Sequence, residues 1–373
     1  MLRKGSSLVL LLMMCLTVGA EPVALPPLWT ESFWVQHLTS LPVTNGERLE
    51  TGYHLFARTN VRPLLQSGQS LQPFARGYGY YRFASLSEIR LHLSRWRVSY
   101  AFGVADHFEG DGGAVHLYLG GLNLAQLPTS DADVTATLNR SAVNRWTVEH
   151  LLPLQCKHGE GWLLLAGSLY LSRRIQQGAL SGRWHNAQFD GDLLLDTTRG
   201  LDAGDTRSTG WGLHLALSVP LSARWRVSFW GENLLGQIRQ RKLQRITARV
   251  QANTIVPDAD GFLHAAPFLS GRVDYLSRNL SLQPQLAVAA AYHQGKGAWL
   301  LRASWDADEE WIAGYASADY RLLFALPRGE WSMAYHTGQW TLVAGFSSVN
   351  PVQAKHATLS LRYTIPLAST RSQ

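Results

Sequence analysis

LSRWRVSYAFG, Leu93 to Gly103, is followed about 130 residues later by a near-copy, LSARWRVSFWG, Leu221 to Gly231. In the first, Trp96, Val98, Tyr100, Phe102 and Val104 alternate with Arg97, Ser99, Ala101 and Gly103. Alternation at period two marks a strand; on a helix these five apolar residues would scatter around the axis. Upstream, Ile89, Leu91 and Leu93 alternate with Arg90, His92 and Ser94, so the apolar parity switches from odd to even across Ser94-Arg95. A tight turn there joins two strands whose apolar sides share one face. In the second copy, Trp211, Leu213, Leu215, Leu217 and Val219 lead into a turn near Ser222-Ala223, and Trp225, Val227 and Phe229 lead out of it. The repeated phrase holds no nucleophile beside a base and no glycine cradle, so it is architecture.

The same pattern runs along most of the chain. Val115 to Leu119, Trp146 to Leu154, Ile246 to Val250, Leu280 to Tyr292, Trp299 to Trp305, Trp340 to Phe346 and Leu359 to Leu367 all alternate, and Trp162 to Tyr170 reads as a strand with mixed faces. Longer connections are expected at Glu109-Gly113, Pro128-Asp133, Ala187-Ser208, Asn253-Gly261 and Ser348-Lys355. Stretches 134–150, 185–196 and 311–326 can each be read two ways, which leaves the count at about 12 to 16 strands.

Composition narrows the class. Only 16% of the 373 residues are charged, against about 25% in a typical soluble domain. Yet the mean hydropathy is -0.09, and no stretch of roughly 18 apolar residues follows residue 20, which excludes a helical membrane anchor by sequence. Arg3 and Lys4, the apolar run Leu8 to Val18, and Val18-Gly19-Ala20 before Glu21 read as a secretory signal peptide over residues 1–20. Cys15 raises a lipoprotein alternative, but Met14 before it is the wrong size for that cleavage site. After cleavage the formal charge falls from +7 to +5, because Arg3 and Lys4 leave, and Cys156 is the one remaining cysteine, so no intramolecular disulfide can brace the fold.

Many strands with one apolar face suit a soluble sandwich, a propeller or a membrane barrel. Tryptophan recurs near strand starts, at Trp96, Trp211, Trp225, Trp299 and Trp340, where rings would meet lipid headgroups. The opposite face is small and polar, which suits a wet interior. The expected fold is therefore all-β: an antiparallel transmembrane β-barrel over residues 46–373, with tight periplasmic turns and longer outer loops. Closure would also pair every backbone group without disulfides. Residues 21–45 do not alternate; Trp29, Phe33, Trp34 and Leu38 suit one short amphipathic helix, serving as a plug, a periplasmic contact or a lead-in to the first strand.

The signal peptide, aromatic-tipped strands, tight turns alternating with longer loops, and amphipathic last strand resemble the outer-membrane β-barrels of Gram-negative bacteria. WRVSFWGENLL, Trp225 to Leu235, is similar to barrels of the fatty-acid-transporter and conjugation-associated type. The resemblance implies an outer-membrane location, contact with outer-membrane lipid and lipopolysaccharide, and insertion by the barrel assembly machinery. One departure stands out: such barrels often end on an aromatic residue, whereas here Tyr363 is the last aromatic and a polar tail, Ser369 to Gln373, follows.

Candidate sites follow from parity. Arg90, Arg97, Arg226, Arg245, Arg249, Arg302 and Arg362, with Glu149, Glu232 and Asp306, lie opposite the apolar faces and should point into the lumen, where an excess of positive charge would favour anions. The competing reading is that these arginines pair with acids and water in a filled, closed barrel. His92-Leu93-Ser94 has the His-x-Ser spacing of outer-membrane phospholipases, but Arg95-Trp96 replaces the Asn-Gly of that family, and Ser94 falls in the expected turn. Asp190, Asp192, Asp196, Asp202 and Asp205, and the cluster Asp306, Asp308, Glu309 and Glu310, lack calcium-loop spacing, and the histidines lack zinc spacing. No catalytic residue, metal or cofactor is expected. No nucleic acid is expected either: Arg239-Gln240-Arg241-Lys242 reads as a charged turn. The leading function is a channel for a small polar solute; the alternatives are a structural barrel docking an envelope or secretion complex, and an outer-membrane hydrolase.

Overall fold

The structure is a computed structural model and describes residues 47–60, 78–111, 114, 131–185, 188–198, 208–257, 263–305, 309–317, 319–326, 329–348, 350 and 353–367. The expected signal peptide, the 21–45 segment, Asp202, Asp205, Asp306 and the polar tail from Ser369 lie outside them.

Sixteen strands follow one another: β1 (Arg48–Thr59), β2 (Tyr78–Leu93), β3 (Trp96–Asp111), β4 (Ala132–Cys156), β5 (Gly159–His185), β6 (Gln188–Thr197), β7 (Ser208–Pro220) and β8 (Trp225–Pro257). Then come β9 (Leu263–Ser281), β10 (Gln285–Gln294), β11 (Gly297–Trp305), β12 (Glu309–Ser317), β13 (Tyr320–Leu326), β14 (Glu330–Thr337), β15 (Trp340–Phe346) and β16 (His356–Pro366). Every pairing is antiparallel, and β16 returns to β1, which closes the ring. The upper half of β5 pairs with β6 and its lower half with β7. Likewise β8 pairs with β10 below and β9 above. So β6 with β7, and β9 with β10, are two lengths of a single stave each, and the sixteen strands make a closed ring of fourteen.

Ser94-Arg95 is the turn between β2 and β3, with Ser94 at φ 54°. Gly295 and Gly338, at φ 60° and 54°, hold the corresponding left-handed positions between β10 and β11 and between β14 and β15, where a side chain would be strained. These turns all lie at one end, so the long connections gather at the other.

Parity decides what faces out. Trp96 and Phe102 on β3, Leu165, Leu169 and Leu171 on β5, Trp299 and Leu301 on β11, and Leu322 and Phe324 on β13 are exposed, while the residues between them are covered. Aromatic rings pair near the tight turns, at Trp225–Tyr292 (5.1 Å), Trp299–Tyr315 (5.2 Å) and Trp340–Tyr363 (4.4 Å), and again near the far rim at Trp331–Phe346 (5.8 Å). On the outside of β3 and β4 the apolar run stops at an ion pair, Arg140 Nε to Asp106 Oδ2 at 3.0 Å, ten positions above Trp96. That height matches the about 9–11 residues with which a tilted strand crosses a bilayer. A closed ring with such an exterior is how strands cross a membrane; the fold is a transmembrane β-barrel. No helix among the described residues is long and apolar enough to cross one.

Two expectations about boundaries change. The loop expected over Ala187-Ser208 contains β6, whose Asp190, Asp192 and Asp196 alternate with Gly191, Leu193 and Leu195, and β8 continues to Pro257, into the loop expected from Asn253. Stretch 311–326 holds two strands. Leu280 and Leu282, expected on the outer face with Leu286 and Val288, are buried inside against Tyr170 and Ile238, because the stave breaks between Ser281 and Gln285 and its parity shifts there.

Candidate functional site: the barrel interior

The inward residues sort into two halves. On β5, β7, β8 and β10–β13 an apolar cluster dominates, with Trp162, Leu164, Ala216, Trp230, Leu300 and Leu323 buried together, and single polar residues such as Ser168, His214, Arg226 and Arg321 are set into the same walls. On β16, β1, β2, β3 and β4 they are ionic. Glu50 on β1 accepts from Arg48 Nε at 2.8 Å and lies 3.2 Å from His92 Nε2 and 3.9 Å from an Arg362 nitrogen. Arg90 donates to Glu88 at 2.8 Å and sits 4.0 Å from Glu149, which Arg97 also approaches at 3.5 Å. Arg145, buried on β4, stands opposite Ala101, which in turn faces Glu88 on β2. Arginines 48, 90, 97, 145 and 362 thus surround Glu50, Glu88 and Glu149, and cations outnumber acids.

At the loop end a second ionic group crosses the ring. Arg58 on β1 binds Glu330 on β14 (2.5 Å) and Glu310 on β12 (3.1 Å), and His356 Nδ1 lies 3.0 Å from Glu330. β12 is five places from β1 around the wall. In a circular ring of this size, with strands about 4.8 Å apart and tilted about 40°, strands five places apart are roughly 25 Å from each other. Two side chains cannot span that, so the rim is drawn together where Arg58 sits.

Of the residues expected inside, Arg90, Arg97, Glu149 and Arg362 are brought together as described. Arg226 is buried and donates to Ser218 Oγ (3.2 Å) and the Glu160 carbonyl (2.9 Å). Arg302 lies over the Trp230 ring at 5.7 Å. Glu232 is buried where β8 bulges against β7. Arg245 and Arg249 lie further along β8, beyond its Lys242 bulge, and are less enclosed. Arg249 is 58% exposed and paired to Asp190 at 2.9 Å, and Arg245 donates to Asp196 at 2.8 Å. Of the acidic run, Asp190, Asp192 and Asp196 thus lie on a strand, and Asp190 and Asp196 hold guanidinium partners. Trp96, Trp211, Trp225, Trp299 and Trp340 are all exposed on the outer face.

Two hydroxyl–imidazole arrangements test the hydrolase reading. His92 points inward to Glu50, while Ser94 is exposed in its turn. A closer pair, unforeseen in the sequence, is Ser168 Oγ and His214 Nε2 at 2.8 Å, with Thr147 Oγ1 2.8 Å from the same serine. His214 Nδ1 accepts the Asn233 N–H (2.9 Å), so the neutral ring carries its proton on Nε2 and donates to Ser168. A general base would need that nitrogen free. The network instead holds the bulge: Asn233 sits at φ 50°, and its side-chain oxygen accepts from the Tyr170 hydroxyl at 2.7 Å.

Glu50, His54, Arg58 and Glu88 were not among the expected residues, although β1 alternates Leu49, Tyr53, Leu55 and Ala57 with the first three and Glu88 lies on β2. Glu330 was not among them either, and Glu310 was considered only as part of an acidic cluster without calcium-loop spacing.

No protein-family model matches the chain, and no curated protein matches it. Among solved structures, a TodX deltaS2S3 mutant monoaromatic hydrocarbon channel is 10% identical, with a TM-score of 0.38 over 86% of this chain and 90% of that one. The toluene transporter TodX of Pseudomonas putida gives 10% and 0.36 over 86% and 89%. The translocator domain of autotransporter NalP from Neisseria meningitidis gives 10% and 0.35 over 86% and 88%. With TM-scores below 0.5, these likenesses carry no argument about what this chain does.

Proposed function

We propose that the chain is an outer-membrane channel that passes small polar solutes and favours anions. The observation that carries this reading is the ionic half of the interior, where five arginines surround three carboxylates inside a wall whose exterior is apolar. A positive excess in a low-dielectric tube raises the local concentration of anions, and the width of the tube then selects among them. The aromatic residues near both rims fit the headgroup regions of the bilayer.

A second reading, a non-conducting structural barrel, is favoured by a specific feature: Trp162, Leu164, Arg90 and Arg321 are all buried inside, and Arg58 draws the rim together. The two readings separate in planar-bilayer recordings of the purified chain. A channel gives discrete ohmic steps, and Arg97→Glu shifts its reversal potential away from anions. No steps, even after removal of residues 21–45, would leave the structural reading; steps with an unchanged reversal potential in Arg97→Glu would make the arginines structural.

A further inference from the structure

Glu50, Gly52 and His54 occupy successive inward positions on β1. Gly52 stands opposite Arg362 on β16 and opposite Glu88 on β2. A Cβ there would meet nothing nearer than the Leu361 carbonyl at 3.7 Å, so this glycine leaves a hollow where most of the barrel's glycines accept close contact. The hollow is a cavity walled by Glu50, His54, Glu88, Ser360 and Arg362.

Its acids are already engaged. Glu50 has Arg48 and His92, and Glu88 has Arg90. Arg362 is in a different position: its guanidinium offers five N–H donors, and its nearest carboxylate oxygen, on Glu50, is 3.9 Å away, beyond hydrogen-bond length. His54 Nδ1 is buried without a hydrogen-bond partner among the described residues. A guanidinium and an imidazole nitrogen therefore border a space whose two carboxylates are turned to other cations and stand beyond hydrogen-bond length of Arg362. Burying donors in that state is costly, and an arginine-rich surrounding adds to the demand for negative charge.

We propose that the hollow at Gly52 binds a halide-sized monovalent anion, with Arg362 as its charge partner and His54 and Ser360 as lateral donors. A monatomic ion suits the space left by one missing side chain and makes no directional demand on donors arriving from two strands. A cation would find both carboxylates occupied. The site needs no open tube, so it stands or falls apart from conduction.

Crystals of the full chain grown in bromide test it. The expected result is an anomalous bromide peak in contact with the Arg362 guanidinium, absent in Arg362→Gln and in Gly52→Leu, which fills the hollow but keeps the charge. In detergent solution, the wild-type chain should broaden the chloride NMR line, and bromide should reverse the broadening, a readout that requires no variant. A hollow holding water without anomalous signal, a peak that persists in Gly52→Leu, or a chloride line that bromide leaves unchanged would overturn the proposal. A chain that binds bromide but shows no conductance keeps this site and loses the channel reading; the converse result does the opposite.

Discussion

The two sides of the barrel differ in height, and the same face of the sheet meets a different fate on each. From β11 to β15 the strands are short, with β13 and β15 at seven residues and β14 at eight. Their outward apolar residues stay exposed, Leu322 at 53% and Tyr335 at 56%. From β4 to β8 the wall is tall, with β8 at 33 residues. Above the Asp106–Arg140 pair, which interrupts the exposed apolar run, apolar residues return but are covered: Val134 at 1% and Phe189 at 8% join Phe108, Ala114 and Ala136 in one cluster. Lipid tolerates an uncovered leucine; water does not. The short side needs no core on its outer face, because the bilayer is that core. The tall side rises out of the bilayer and must supply its own. Part of that supply is local: the Phe189 ring lies across Gly182 and Gly191, a cross-strand pair in which a Cβ would strike backbone and ring at under 3 Å.

Variants can break this contrast. The largest effect is expected from Arg58→Gln, which leaves Glu310 and Glu330 without their shared cation; removing one partner of a buried pair costs about 3–5 kcal/mol. Urea unfolding in lipid vesicles should show the loss, and bilayer recordings should show a wider rim as increased conductance. Phe189→Ala should cost the tall wall about 3 kcal/mol. Limited proteolysis should then cut within β5–β8 above the bilayer while the strands of the short side stay protected. Leu322→Lys places a charge on the bilayer face of the short side and should cost about 2–3 kcal/mol, read as lowered midpoint in the same urea series. Thr247→Lys, on an exposed position of the tall wall, should change stability by less than about 0.5 kcal/mol. If Thr247→Lys cost as much as Leu322→Lys, the two heights would not be in different solvents.

Much of this was legible in alternation. Ser94-Arg95 announces its turn because apolar parity reverses there, and the exposed tryptophans follow from the same rule. What alternation does not carry is the insertion of an extra residue. At Asn233 and Lys242, both at positive φ, β8 bulges: the first adds two residues and leaves the parity read from Trp225 intact, while the second adds one and reverses it, so that Leu243 is buried as Ile238 and Gln240 are before it. Leu280 and Leu282 were misplaced for a related reason, since the stave breaks just after them. Nor does alternation say what stands opposite a face. Arg97 and Arg249 read identically in the sequence, but one is buried beside Glu149 and the other is mostly exposed and paired to Asp190. Arg58 was invisible as a clamp because its partners lie 252 and 272 positions away.

The seam between β1 and β16 joins residues about as far apart as the chain allows: Thr358 Oγ1 donates to the Leu55 carbonyl across 303 positions. Until that seam zips, two strand edges expose their amide rows to the hydrocarbon, where unmet donors are least tolerated. The β2–β3 hairpin can form as soon as its turn exists, whereas closure waits for the pairing of the first described strand with the last. Ending the chain ahead of His356 would therefore do more than remove β16: it would leave a curled sheet with no ring to complete.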